Sequence, residues 1–84
     1  MKSFTAVIHV MPHKVLLDPA GKTTLQAIKK LGFDNVFDTR IGKRIELSIQ
    51  ANDENEAHQA AHQIANQLLI NPIVEYFEIE VISS

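Results

Sequence analysis

What most constrains this chain is a change of hydrophobic period, from two residues to about 3.6 and back, repeated along its length. From Phe4 to Met11 the residues alternate as a strand, with Phe4, Ala6, Ile8 and Val10 on one face and Thr5, Val7, His9 and Met11 on the other. Apolar side chains on both faces mark a central strand, and Pro12 ends it by removing a ladder donor. Asp18-Pro19 reads as a helix start, because the Asp side chain accepts from free first-turn amides and Pro at the first helical position loses no bond. Leu25, Ile28 and Leu31, joined by Thr24 and Ala27, form one apolar stripe before Gly32 supplies a left-handed stop.

Val36 to Ile41 and Arg44 to Ala51 read as two strands joined across Gly42-Lys43. The second is the clearer, since Ile45, Leu47, Ile49 and Ala51 alternate with Arg44, Glu46, Ser48 and Gln50. Asn52 or Asp53 caps a second helix, in which Ala57, Ala61, Ile64 and Leu68, flanked by Ala60, fall in one stripe, and Asn71-Pro72 ends it. Ile73 to Ile82 forms a last strand, with Phe77, Ile79 and Val81 on one face and Tyr76, Glu78 and Glu80 on the other. The order β-α-β-β-α-β predicts an α+β, ferredoxin-like domain over residues 1–84, with two helices on one face of a four-stranded antiparallel sheet. The other face has no helix to cover it. Val7, His9, Met11, Tyr76 and Ile82 would leave an apolar patch there, which predicts a second copy packed on it.

Size and charge narrow the function. A chain of 84 residues buries only about 60% of its unfolded surface, so a deep active-site cleft is hard to build. Eight Lys and Arg stand against ten Asp and Glu, a formal charge of −2, the wrong sign for binding nucleic acid through its phosphates. The absence of cysteine excludes disulfides, thiolate metal sites and cysteine nucleophiles. No run of about 18 apolar residues occurs, and Met1-Lys2 leads into an alternating stretch instead of a signal-peptide core. A cytoplasmic protein without a membrane partner is the expectation.

Several constellations invite a chemical reading. Gly21-Lys22-Thr23 resembles the end of a phosphate-binding loop, but Leu16 stands where its first glycine would be, and a capped helix start explains it. His58 and His62 lie four apart, a spacing that lets two imidazoles share a metal. Gln59 replaces the glutamate of a zinc-protease motif and no third ligand is evident, so solvated or interface histidines are the simpler reading. For His9 and His13 a structural role is expected. Glu78 and Glu80 share one strand face and Glu75 the other, which fits a solvated edge better than an acid-base pair. Arg40, Lys43 and Arg44 gather around Gly42, either as a solvated turn or as a basic knob that docks on an acidic partner. Base-stacking aromatics are missing from the adjacent strand, where Ile45, Glu46 and Leu47 stand, so RNA is not the expected ligand.

Four phrases resemble the PurS family: Leu17-Asp18-Pro19-Ala20-Gly21, Leu31-Gly32-Phe33 with Val36, Arg40-Ile41-Gly42-Lys43, and Leu68 to Tyr76 with its Leu-Leu-Ile-Asn-Pro-Ile-Val-Glu core. Their order matches over nearly the whole chain. The resemblance implies a non-catalytic subunit of phosphoribosylformylglycinamidine synthase, in which a glutaminase subunit releases ammonia and a large synthetase subunit uses ATP and magnesium. It further implies that this subunit bridges the two and helps ammonia pass, binds no cofactor itself, and forms a dimer or tetramer with exchanged segments. Carried over by motif, Asp18, Gly21, Arg40, Gly42, Lys43, Asn71, Pro72 and Glu75 are the expected partner-binding positions. Departures are Pro12-His13-Lys14-Val15, which lacks the glycine often found before this motif, Ala20 for a usual glutamine and Ile70 for a usual small residue. A ligand-sensing module of the same topology is the alternative, by analogy of fold.

Overall fold

The structure, a computed structural model, describes residues 1–15 and 18–83. Leu16, at the position of the missing loop glycine, and Leu17, the first residue of the first family phrase, lie outside the described residues. The elements are β1 (Lys2–Pro12), α1 (Pro19–Lys30), β2 (Lys43–Ala51), α2 (Glu54–Ile64) continued by a π-helical turn (Ala65–Leu69), and β3 (Glu75–Ser83). The sheet is antiparallel and ordered β2-β1-β3, so β1 is central as its two apolar faces predicted. Ile8 sits opposite Ile45 on one side and Ile79 on the other, and Ala6 opposite Leu47 and Val81. The alternation therefore stacks three apolar rows on one face.

Helix α2 covers that face and packs on all three strands. It begins where Asp53 accepts from the Glu56 amide at 2.8 Å. Its contact is made of alanines: Ala57, Ala61 and Ala65 are fully buried, each one turn from the last. With no side chain beyond Cβ there, the helix lies close on Phe4, Ile8 and Val10, which are buried beneath it. The expected stripe is half corrected, since Ile64 is 38% and Leu68 78% exposed. For Leu68 the π-helical turn, Ala65–Leu69, is the cause. Ile70 donates to the Ala65 carbonyl at 3.1 Å, an i→i+5 bond that widens the turn and presents Ala65 and Leu69 inward instead.

Two further expectations are corrected. Residues 36–41 are not a strand, and no hairpin forms at Gly42-Lys43. Nor does α1 lie beside α2: of its residues only Gly21 is buried, while Leu25 and Ile28 are half-buried and Leu31 is 76% exposed. The reason is local. Residues 39–41 are tied to the start of α1 and Gly42 is pressed on the Val10 carbonyl, so the chain enters β2 directly from that anchor. Helix α1 runs outward about 18 Å over 12 residues. It turns at Gly32, whose φ of 99° favours glycine, and residues 33–39 return to the anchor. Helix and return segment form an arm, and the molecule extends 51 × 27 × 14 Å.

The open sheet face also differs from the expected apolar patch. Val7 is 2% exposed and lies between Glu46 and Glu80, while His9 lies between Arg44 and Glu78. Charged neighbours on β2 and β3 make this face polar. Of the expected patch Ile82 stays 45% exposed on this face, and larger exposed apolar side chains lie on the arm at Leu31, Phe33 and Phe37, the last 88% exposed.

Candidate functional site

The eight positions singled out from the sequence gather at one end of the sheet, at the root of the arm. Asp18 caps α1 by accepting from the Gly21 amide at 3.0 Å with one carboxylate oxygen. Its other oxygen accepts from the Ile41 amide at 3.0 Å, across 23 residues of sequence. These two backbone donors, with the Arg40 guanidinium adding to them, hold the Asp18 carboxyl below its ordinary value of 3.8 against a smaller opposing desolvation. Gly21 is required beside it, since a Cβ there would run into the Thr39 carbonyl and Asp18 itself. Gly42 is required by the same kind of contact, against the Val10 carbonyl and the Met11 sulfur.

Arg40 completes the anchor. Its guanidinium donates to the Pro12 carbonyl at the end of β1 and, at 3.4 Å, to the Tyr76 hydroxyl on β3. Lys43 lies 3.9 Å from Glu75, a half-exposed ion pair that joins the start of β2 to that of β3. Glu75 in turn accepts from the Asn71 amide at 2.9 Å, and the Asn71 side chain accepts from Ile73 at 3.1 Å, which fixes the turn before β3. The Pro72 carbonyl accepts from His13 Nε2 at 3.1 Å, and the His13 ring lies 5.7 Å from that of Tyr76. The structure thus unites the two sequence clusters, 40–43 and 71–75, into one anchor. His13, for which a structural role was expected, and Tyr76, the end of the fourth family phrase, belong to it through partners 59 and 36 residues away that no local pattern could identify.

Two hollows flank this region. One, of about 420 Å³, is lined by Lys14, Lys22, Asp38 and Arg40 around the start of α1. The other, of about 460 Å³, is a groove between α2 and β3 lined by His58, His62, Asn66, Phe77 and Ile79. His62 meets Phe77 edge to face at 5.2 Å between centroids. Among the described residues no three His, Cys, Asp or Glu side chains come together as a metal group. Nor is any helix among the described residues long and apolar enough to cross a membrane. The site is an arrangement of backbone-directed hydrogen bonds that fixes one segment against another.

The sequence model of the family described as "PurS: Phosphoribosylformylglycinamidine (FGAM) synthase" matches residues 5–83. The phosphoribosylformylglycinamidine synthase subunit PurS of Synechocystis is 38% identical over 79 residues, covering 94% of this chain and 79% of that one. Among solved structures, a chain of the PurLQS structure from Thermotoga maritima superposes with a TM-score of 0.89 at 28% identity, covering 98% of this chain and 100% of that one. PurS of Methanocaldococcus jannaschii, described as one of the subunits of formylglycinamide ribonucleotide amidotransferase, gives a TM-score of 0.86 at 28% identity, covering 96% and 98%.

Proposed function

Because the chain belongs to the PurS family of phosphoribosylformylglycinamidine synthase, we propose that it is the small, non-catalytic subunit of that ligase and acts in purine biosynthesis by assembly. The observation that carries this reading is the arm root. Asp18, Gly21, Arg40 and Gly42 of the family phrases hold α1 and its return segment to the end of the sheet.

The arm in turn supplies the means of self-association. On the core face Ile45, Leu47 and Ile49 of β2 are only partly buried, as are Phe77, Ile79 and Val81 of β3, and α1 carries a half-buried stripe at Leu25 and Ile28 that ends on exposed Leu31. The arm of a second copy, laid over β2 where α1 of this chain does not reach, buries both surfaces. A dimer built by exchange of arms then presents two anchors to its partners. Those partners are the glutaminase and the large synthetase subunits, which the dimer bridges so that ammonia passes from one to the other. ATP and magnesium act on the synthetase. The test is sedimentation of the purified chain with both subunits, in ATP, magnesium and glutamine. One species containing all three is the expected result, and subunits that sediment separately would refute the reading.

A further inference from the structure

Strand β3 ends the sheet: β1 pairs with one side of it and, among the described residues, no strand pairs with the other. Its nine residues alternate, with Phe77, Ile79 and Val81 toward α2 and Glu78 and Glu80 exposed on the open face. Beside that edge runs the groove of about 460 Å³, walled by His58, His62 and Asn66 of α2 and floored by Phe77 and Ile79. A free strand edge next to a helix-walled apolar groove is the geometry that accepts an added strand. Main-chain bonds supply affinity there and alternate side chains supply selection.

The two carboxylates decide what kind of strand fits. Two copies of β3 paired antiparallel about a two-fold at Ile79 would set Glu78 against Glu80, and a two-fold at either glutamate would set that residue against itself. Directly opposed like charges destabilise such pairs, and charges on an edge are a common guard against self-pairing. Self-pairing in these registers is disfavoured, and an added strand of opposite charge is favoured. We propose that the outer edge of β3 docks an extended segment of a partner protein that alternates apolar and basic residues. The added strand places its apolar side chains over the groove and its Lys or Arg side chains beside Glu78 and Glu80. This surface adjoins the arm root, whose Pro72, Glu75 and Tyr76 line the near end of the groove.

The experiment uses the full chain, isotope-labelled, with two end-blocked probe peptides, one alternating Lys and Val and the other Glu and Val. The Lys/Val peptide is expected to slow hydrogen exchange at the alternate β3 amides that point away from β1 and to shift the His58 and His62 resonances. It should bind about tenfold more tightly than the Glu/Val peptide. In the doubly substituted Glu78→Lys, Glu80→Lys protein the preference should invert; both positions are exposed, and an unchanged circular dichroism spectrum establishes that the variant is folded. Equal binding of the two peptides, or no protection of those amides by either, overturns the proposal. So does concentration-dependent protection of the same amides without peptide, which would assign the edge to a second copy of this chain.

Discussion

Asp18 is the residue on which the most local structure turns, because its two oxygens serve two different parts of the chain. One caps α1 and the other holds Ile41, so a single side chain closes the loop that contains the whole arm. The cap was legible from Asp18-Pro19, since capping is a matter of three residues. The bond to Ile41 was not, because nothing local reports a partner 23 residues away. Its depressed carboxyl has a pH consequence. The folded value lies below the unfolded 3.8, so the stabilisation is fully present above 3.8 and is lost as pH falls through the folded value. Urea midpoints measured from pH 6 downward should therefore fall less steeply at the acid end in Asp18→Asn than in the parent protein, and parallel acid limbs would contradict this. Gly42 makes a sharper test. Its missing Cβ is the space in which the Val10 carbonyl and Met11 lie, so Gly42→Ala should destabilise by about 1–3 kcal/mol in thermal unfolding.

Among the elements, α2 shows how a helix can cover a sheet with almost no side chain. Ala57, Ala61 and Ala65 bring its backbone down on β1, and bulk comes from below, from Phe4, Ile8 and Val10. Ala61→Leu should therefore overpack the layer and cost about 1–3 kcal/mol, whereas Leu68→Ala, at a position 78% exposed, should stay within about 0.5 kcal/mol. Chemical denaturation of the two variants distinguishes this packing from the stripe that helical periodicity alone predicts, in which Leu68 would be the costlier loss. The periodicity was misleading there because it assumes a uniform turn, and the bond from Ile70 to Ala65 widens one. The three observed strands were legible because each has a partner within the chain and a buried face. Residues 36–41 carry strand-like residues too, but strand formation needs an edge to pair with, and the anchor at residues 39–42 directs them away from β2.

For the whole molecule, the candidate site was legible as residues and illegible as a place. The positions at 18–21, 40–43 and 71–75 stood out separately, and only the fold shows that they form one anchor between arm and sheet. This changes what their substitution should do. Lys43→Glu removes a half-exposed 3.9 Å ion pair, so stability should change by no more than about 1 kcal/mol, and any larger effect on complex formation reports direct docking. Arg40→Glu is different, because it withdraws donors from the Pro12 carbonyl and the Tyr76 hydroxyl, the bonds that hold the arm's base to both β1 and β3. If the arm is what a second copy receives, loosening its base weakens the dimer before any partner subunit is involved. Arg40→Glu should then lower self-association and three-subunit assembly together. Ile28→Asp, on the arm's stripe and away from the anchor, should lower self-association while leaving the hydrogen bonds of the root in place. Sedimentation equilibrium of each variant alone, then with the glutaminase and synthetase subunits, separates the cases. A dimer undisturbed by Arg40→Glu, together with a lost complex, would move Arg40 from the scaffold to the docking surface.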